Sequence, residues 1–189
     1  ATQCPERAIT LRKEVVVDPQ RCRSCQICTA VCPVGAFERV TPTTAGLLNG
    51  IDRLEAAGAA VAYACPRSIA ATPGADEHCI RVPCLGMLDV ATLVGTISLG
   101  AQTVWLLDAA CADCGWQTGR AVAERAVREV NLLLSGWDRE AQVRIAAALP
   151  AGAHTLMRAA APEVALSRRR LLTFMVADQW RLHLREKKI

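Results

Sequence analysis

The chain has 189 residues, of which 52% are hydrophobic and 21% charged, with a net charge of +4. That composition belongs to a folded globular protein and excludes a disordered or collagen-like one. No apolar run reaches the roughly 20 residues that span a bilayer, and the N-terminus lacks the charged-then-apolar layout of a signal peptide, so a cytoplasmic chain is expected.

Residues 1 to about 40 are rich in Cys and Pro and hold one short β-like run, Glu14–Val15–Val16–Val17, before the turn signal Asp18–Pro19. This stretch has too little apolar surface to fold alone, so something bound must hold it. Beyond Thr41–Pro42–Thr43–Thr44, the residues Leu47, Leu48, Ile51 and Leu54 recur at helical spacing, with Thr44 as N-cap and Gly58 as C-cap. Then the pattern alternates. Strands are expected over Ala59 to Ala64, Ile80 to Val82, Gln102 to Leu107 and, more weakly, Gln142 to Ala146. Helices are expected over Asp89 to Leu99 and Gly119 to Ser135, the latter with Val122, Ala126, Val130 and Leu133 inward. Continuous apolar strands alternating with helices predict an α/β domain with a mainly parallel sheet.

The segment from Val164 to Ile189 carries seven Lys and Arg against Asp178 and Glu186, which leaves the remainder of the chain slightly negative. It reads as a basic amphipathic helix with Leu172, Val176, Trp180 and Leu184 on one side. Such a helix docks on an acidic partner or lies on an anionic membrane surface.

Ten cysteines need an explanation, because a reducing cytosol rarely keeps structural disulfides. Cys22, Cys25, Cys28 and Cys32, followed by Pro33, spell C-x2-C-x2-C-x3-C-P, the run that wraps thiolates around a cubane 4Fe-4S cluster. Each iron takes a soft sulfur ligand, and small neighbours such as Ser24, Thr29 and Ala30 leave room. Zinc instead favours well-separated Cys pairs, so a zinc-binding structural or interaction module is the alternative reading. A cluster-containing nucleic-acid binder using the basic tail is a third, and no nucleic-acid partner is expected.

This N-terminal stretch, to about Phe37, resembles the second half of a bacterial two-cluster ferredoxin through Cys4–Pro5, the β-like run, Asp18, the Cys22 to Cys32 motif and Val34–Gly35–Ala36. The resemblance implies that Cys4 shares a 4Fe-4S cluster with Cys22, Cys25 and Cys28. It implies that Cys32 faces a second 4Fe-4S cluster whose other ligands lie upstream or in a partner. Those ligands are absent here, and an N-terminal extension carrying a further C-x2-C-x2-C run is one expectation. The fold class expected overall is an α+β ferredoxin-like cluster segment (1–42), the α/β domain (43–162) and the basic helix (163–189).

Of the other cysteines, Cys65, Cys84, Cys111 and Cys114 each follow a predicted strand, and strand C-termini share one edge of a parallel sheet, where ligands bind. Cys79 starts its strand and is expected on the opposite edge. A rival set exchanges Cys65 for Cys79. The stretch from about Val61 to Val130 resembles the methyl-viologen-reducing hydrogenase delta-subunit family. That resemblance rests on Arg81–Val82–Pro83–Cys84–Leu85–Gly86, Asp89, Gly100–Ala101–Gln102–Thr103–Val104, Asp113–Cys114–Gly115–Trp116 and Gly119. It implies a non-catalytic 2Fe-2S electron-transfer subunit in a complex with a flavoprotein, hydrogenase or heterodisulfide reductase-like partner. Ser68 and Ala109 stand where the family usually has further Cys. His78, His154 and His183 lie far apart and are expected in core or surface roles.

Overall fold

The structure, a computed structural model, describes residues 2–39, 41–51 and 60–149. Strands β1 (Ile9–Leu11) and β2 (Val15–Val17) pair antiparallel, with Ile9 opposite Val17. A short helix α1 (Ile27–Val31) lies inside the cysteine run. Helix α2 (Thr44–Ile51) is capped by Thr43, whose Oγ1 accepts from the Gly46 N–H at 2.9 Å. The cap is therefore one residue earlier than the Thr44 expected, because a cap hydroxyl must reach an N–H about three residues ahead. Leu54 and Gly58 lie outside the described residues, as do His154, His183 and the basic segment 163–189.

The larger unit holds strands β3 (Ala60–Ala64), β4 (Ile80–Arg81), β5 (Thr103–Leu107) and β6 (Gln142–Ala146), all parallel, in the order β4-β3-β5-β6. Its helices are α3 (Pro66–Ala71), α4 (Ala75–His78), α5 (Val90–Ser98) and α6 (Gln117–Gly136). Strand alternation sends Val61, Tyr63, Val104 and Leu106 to one face, where they meet Leu93, Ala126 and Val130 in the main core. Ala62, Ala64 and Leu107 turn to the other face and pack with Ala75 and Ile69. Small residues there let the short helices α3 and α4 sit close to the sheet.

On α6 the buried stripe runs through Val122, Ala126 and Val130 to Leu134, while Leu133 is 39% exposed. A repeat of 3.6 continues the stripe in steps of four, which reaches 134 and not the expected 133. The α5 N-cap is Asp89, whose Oδ1 accepts from Thr92 N–H at 2.8 Å.

Arg39 ties the N-terminal segment to this unit. Its side chain is 6% exposed; it pairs with Asp89 at 2.9 Å and donates to Thr29 (3.3 Å), Thr44 (2.9 Å), Thr92 (2.8 Å) and the Met87 carbonyl. A buried guanidinium needs this many partners, since an unmet charge in a low dielectric is costly.

Candidate metal centres

The cysteine run curls because Ser24 (φ 52°) and Gln26 (φ 59°) adopt the left-handed region on either side of Cys25. That conformation costs a non-glycine residue about 1 kcal/mol and persists when its surroundings impose it. It turns the loop back on itself. Burial first, and then the neighbouring Cys28, Cys4 and Cys22, push the Cys25 thiol up, while the Ile27 N–H pulls it down. The Cys28 thiol is likewise pushed up by burial and by Cys22 and Cys4. Cys4, Cys22, Cys25 and Cys28 are thus near enough to repel one another as thiolates. Cys4 reaches the group on a turn in which its Sγ accepts from the Ala8 N–H at 3.3 Å.

Cys32 is the C-cap of α1. Its thiol is held below the ordinary range by the backbone N–H groups of Ala36, Val34, Phe37 and Gly35, with Ala36 N at 3.2 Å from Sγ.

A second group forms at the C-terminal edge of the four-stranded sheet. In register, Ala64 stands beside both Arg81 and Leu107, so the loops that follow β3, β4 and β5 leave at one level. Cys65 caps α3 ahead of Pro66, Cys84 opens the turn Leu85–Met87, and Cys111 and Cys114 follow in successive turns after Asp108. Burial, followed by Cys25, Cys65 and Cys111, pushes the Cys84 thiol up to about 12 against the Gly86 N–H. Burial, followed by Cys65, Asp108 and Cys114, pushes Cys111 up to about 11, and Arg120 opposes them. The Trp116 N–H lies 3.4 Å from the Cys114 Sγ.

Cys79 stands apart. Its thiol is pushed up to about 11 by burial alone, with no cysteine among the causes. The reason differs from the one the sequence suggests. Strand β4 has only two residues, paired with Tyr63 and Ala64 at the end of β3, so Cys79 is not carried to the far edge. It faces the other side of the sheet, among Ala62, Ala64, Ala75 and Leu107. Alternation along the strand separates it from Ile80, which packs on the main core.

The two cysteine groups share a wall. Cys25, Ile27, Cys84 and Val122 form one buried cluster, with Trp116 and Val31 against it. Trp116 Nε1 also donates to Glu6 at 2.6 Å, which fastens the Cys4 turn to the loop carrying Cys114. The start of α6 approaches this wall without side chains. A Cβ on Gly119 would lie 2.4 Å from the Cys84 Sγ and 3.3 Å from Ile27 Cδ1, and one on Gly86 would lie 2.6 Å from the Gly119 Cα. The glycine pair therefore keeps a space at Cys84 that any side chain would fill. In the sequence neither glycine shows this role, since their contact joins residues 33 apart.

The donor set suits iron–sulfur clusters. All eight donors are thiols, four in each group, and soft sulfur ligands are what iron–sulfur clusters take. Backbone N–H groups aimed at sulfur, as at Cys4, Cys84 and Cys114, are the donors that tune such clusters.

Comparison with known families gives two matches. Residues 15–38 match the 4Fe-4S binding domain, a stretch that includes Cys22, Cys25, Cys28 and Cys32 but not Cys4, and this supports a 4Fe-4S cluster. Residues 60–164 match the family described as methyl-viologen-reducing hydrogenase, delta subunit, over more than half of the chain. No curated protein and no solved structure gives a significant match.

Proposed function

From the premise that the chain belongs to the methyl-viologen-reducing hydrogenase delta-subunit family, with a ferredoxin-type 4Fe-4S domain ahead of it, we propose that it relays single electrons within a redox complex. The complex is of hydrogenase or heterodisulfide reductase type, and the relay runs between a flavin or catalytic subunit and a partner carrier. The ligands proposed for the 4Fe-4S cluster are Cys4, Cys22, Cys25 and Cys28. Those proposed for a second centre, read as 2Fe-2S, are Cys65, Cys84, Cys111 and Cys114. Cys32 faces a further 4Fe-4S cluster completed by thiolates from upstream sequence or a partner. The divisions 1–42, 43–162 and 163–189 are retained, and so many free thiols suit a reducing cytoplasm.

Bound clusters supply the one-electron chemistry that these side chains lack. The chain's own part is to hold, bury and space them. The observation that carries the reading is the shared wall, where Cys25 of one group and Cys84 of the other lie in a single buried cluster with Ile27 and Val122. Cys25 and Cys84 are each no more than 9% exposed, so an electron crossing there passes between buried side chains.

The test is anaerobic reconstitution, iron and sulfide analysis, and low-temperature EPR of the reduced protein. A brown protein with two signals that broaden one another is expected. A colourless protein holding stoichiometric zinc, or two signals with no mutual broadening, overturns the relay.

A further inference from the structure

Ser68 has a fully buried side chain at the second cysteine group. It sits on α3, and its Oγ lies 3.6 Å from the Cys65 Sγ and 3.4 Å from the Ala110 N, which donates to it. A hydroxyl offers one proton and two lone pairs. Ala110 occupies a lone pair, so the Ser68 proton is free for another acceptor, and the Cys65 sulfur is the neighbour in reach. In the free thiol the Cys65 S–H donates to the Ser68 hydroxyl. Once Cys65 binds metal it has lost its proton, and only Ser68 can donate.

We propose that Ser68 is a positioning residue for the second centre: its hydroxyl donates to the Cys65 thiolate and raises the reduction potential of the group that Cys65 holds. This rests on the reading of Cys65 as a ligand. The physical reason is that reduction adds negative charge shared by the ligand sulfurs, and a donor to one of them favours the reduced state. The same hydroxyl, held by the Ala110 N–H, joins the loop after β3 to the loop after β5 one residue before Cys111. It therefore also fixes the separation of two ligand-bearing loops from within the protein. An Ala at this position would leave the Ala110 N–H without this partner in a partly buried site.

The experiment is an EPR-monitored redox titration of the reconstituted full chain and its Ser68→Ala variant, with the N-terminal cluster as internal reference. Ser68→Ala is expected to keep its iron and to shift the reduction equilibrium of the second centre about tenfold toward the oxidised form, ~59 mV for one electron. The N-terminal cluster should not move. A second centre that loads fully at an unchanged potential overturns the proposal while leaving the ligand set standing. Should Ser68→Ala fail to load, the isosteric pair Ser68→Thr and Ser68→Val decides. A higher potential for Thr supports the hydroxyl, and equal potentials, or loss of the centre from all three variants, overturn it. Cys65→Ala separates the two ideas, since a second centre retained there at wild-type potential removes the ligand reading itself.

Discussion

Replacing Gly119 by Ala sets two effects against each other. The added Cβ would stand 2.4 Å from the Cys84 Sγ, and ordinary contact begins near 3.4 Å, so helix and thiol must part by about 1 Å. Ile27 Cδ1 at 3.3 Å resists sideways movement, and retreat of the helix would draw Val122 and Ala126 out of their buried clusters. Overpacking of this kind costs about 1 to 3 kcal/mol, offset by up to about 1 kcal/mol from the better helix propensity of Ala. The net loss is at most about 3 kcal/mol, which a domain with about 5 to 15 kcal/mol of stability survives. A ligand sulfur moved by 1 Å, however, is well outside the roughly 0.2 Å tolerance of metal–ligand distances. The chain is therefore expected to fold with the N-terminal cluster present and the second centre reduced by half or more. Iron and sulfide per chain, with EPR to assign the remaining signal, measure this. Gly136→Ala is the control, because a Cβ there meets nothing within 4 Å. Full loading of the second centre in Gly119→Ala, with an unshifted spectrum, would refute the argument that this glycine keeps the space beside Cys84.

Three further outcomes follow from the geometry. Cys25→Ser or Cys28→Ser should remove or convert the N-terminal 4Fe-4S signal and lower the iron count, and unchanged iron in both would remove them from the ligand set. Cys79→Ser should leave both centres intact. With its thiol near 11, only about one molecule in a thousand carries that thiolate at pH 8, so in the native protein Cys79 should resist iodoacetamide until pH approaches 11 or the protein unfolds; mass spectrometry of the alkylated peptide reads this directly. Arg39→Met should lower stability by about 2 to 4 kcal/mol, because Asp89 is left 29% exposed and without its cation. The N-terminal segment should then become the first site of proteolysis, and an unchanged cleavage pattern would count against its anchoring role.

Much of this architecture was legible in the chain. Strands β3 and β5 are apolar runs that length separates from helices, and β6 has the bounds expected for it. The run from Cys22 to Cys32 names its chemistry through spacing alone. Illegible were features that join distant residues or depend on which face of a short element is used. Helices α3 and α4, of six and four residues, are too short to show a period. The sequence separates Cys79 along the strand, whereas the fold separates it by the side of the sheet it faces. Ser68 was noted only as a missing cysteine; its hydrogen bond to the residue before Cys111 depends on a loop 42 residues away. Trp116 and Glu6, 110 residues apart, gave no sign of their bond.

Arg39 also bears on the order in which the molecule is made. Its charge is permanent, and the groups that receive it come from residues 29, 44, 87, 89 and 92. On a ribosome adding about 5 to 20 residues each second, the guanidinium emerges several seconds before Met87, Asp89 and Thr92 exist to take it. Until then the cysteine run can curl but cannot seat itself. The cysteine run is thereby made well before the groups that seat it, and its thiols stay accessible until the wall around Ile27 closes.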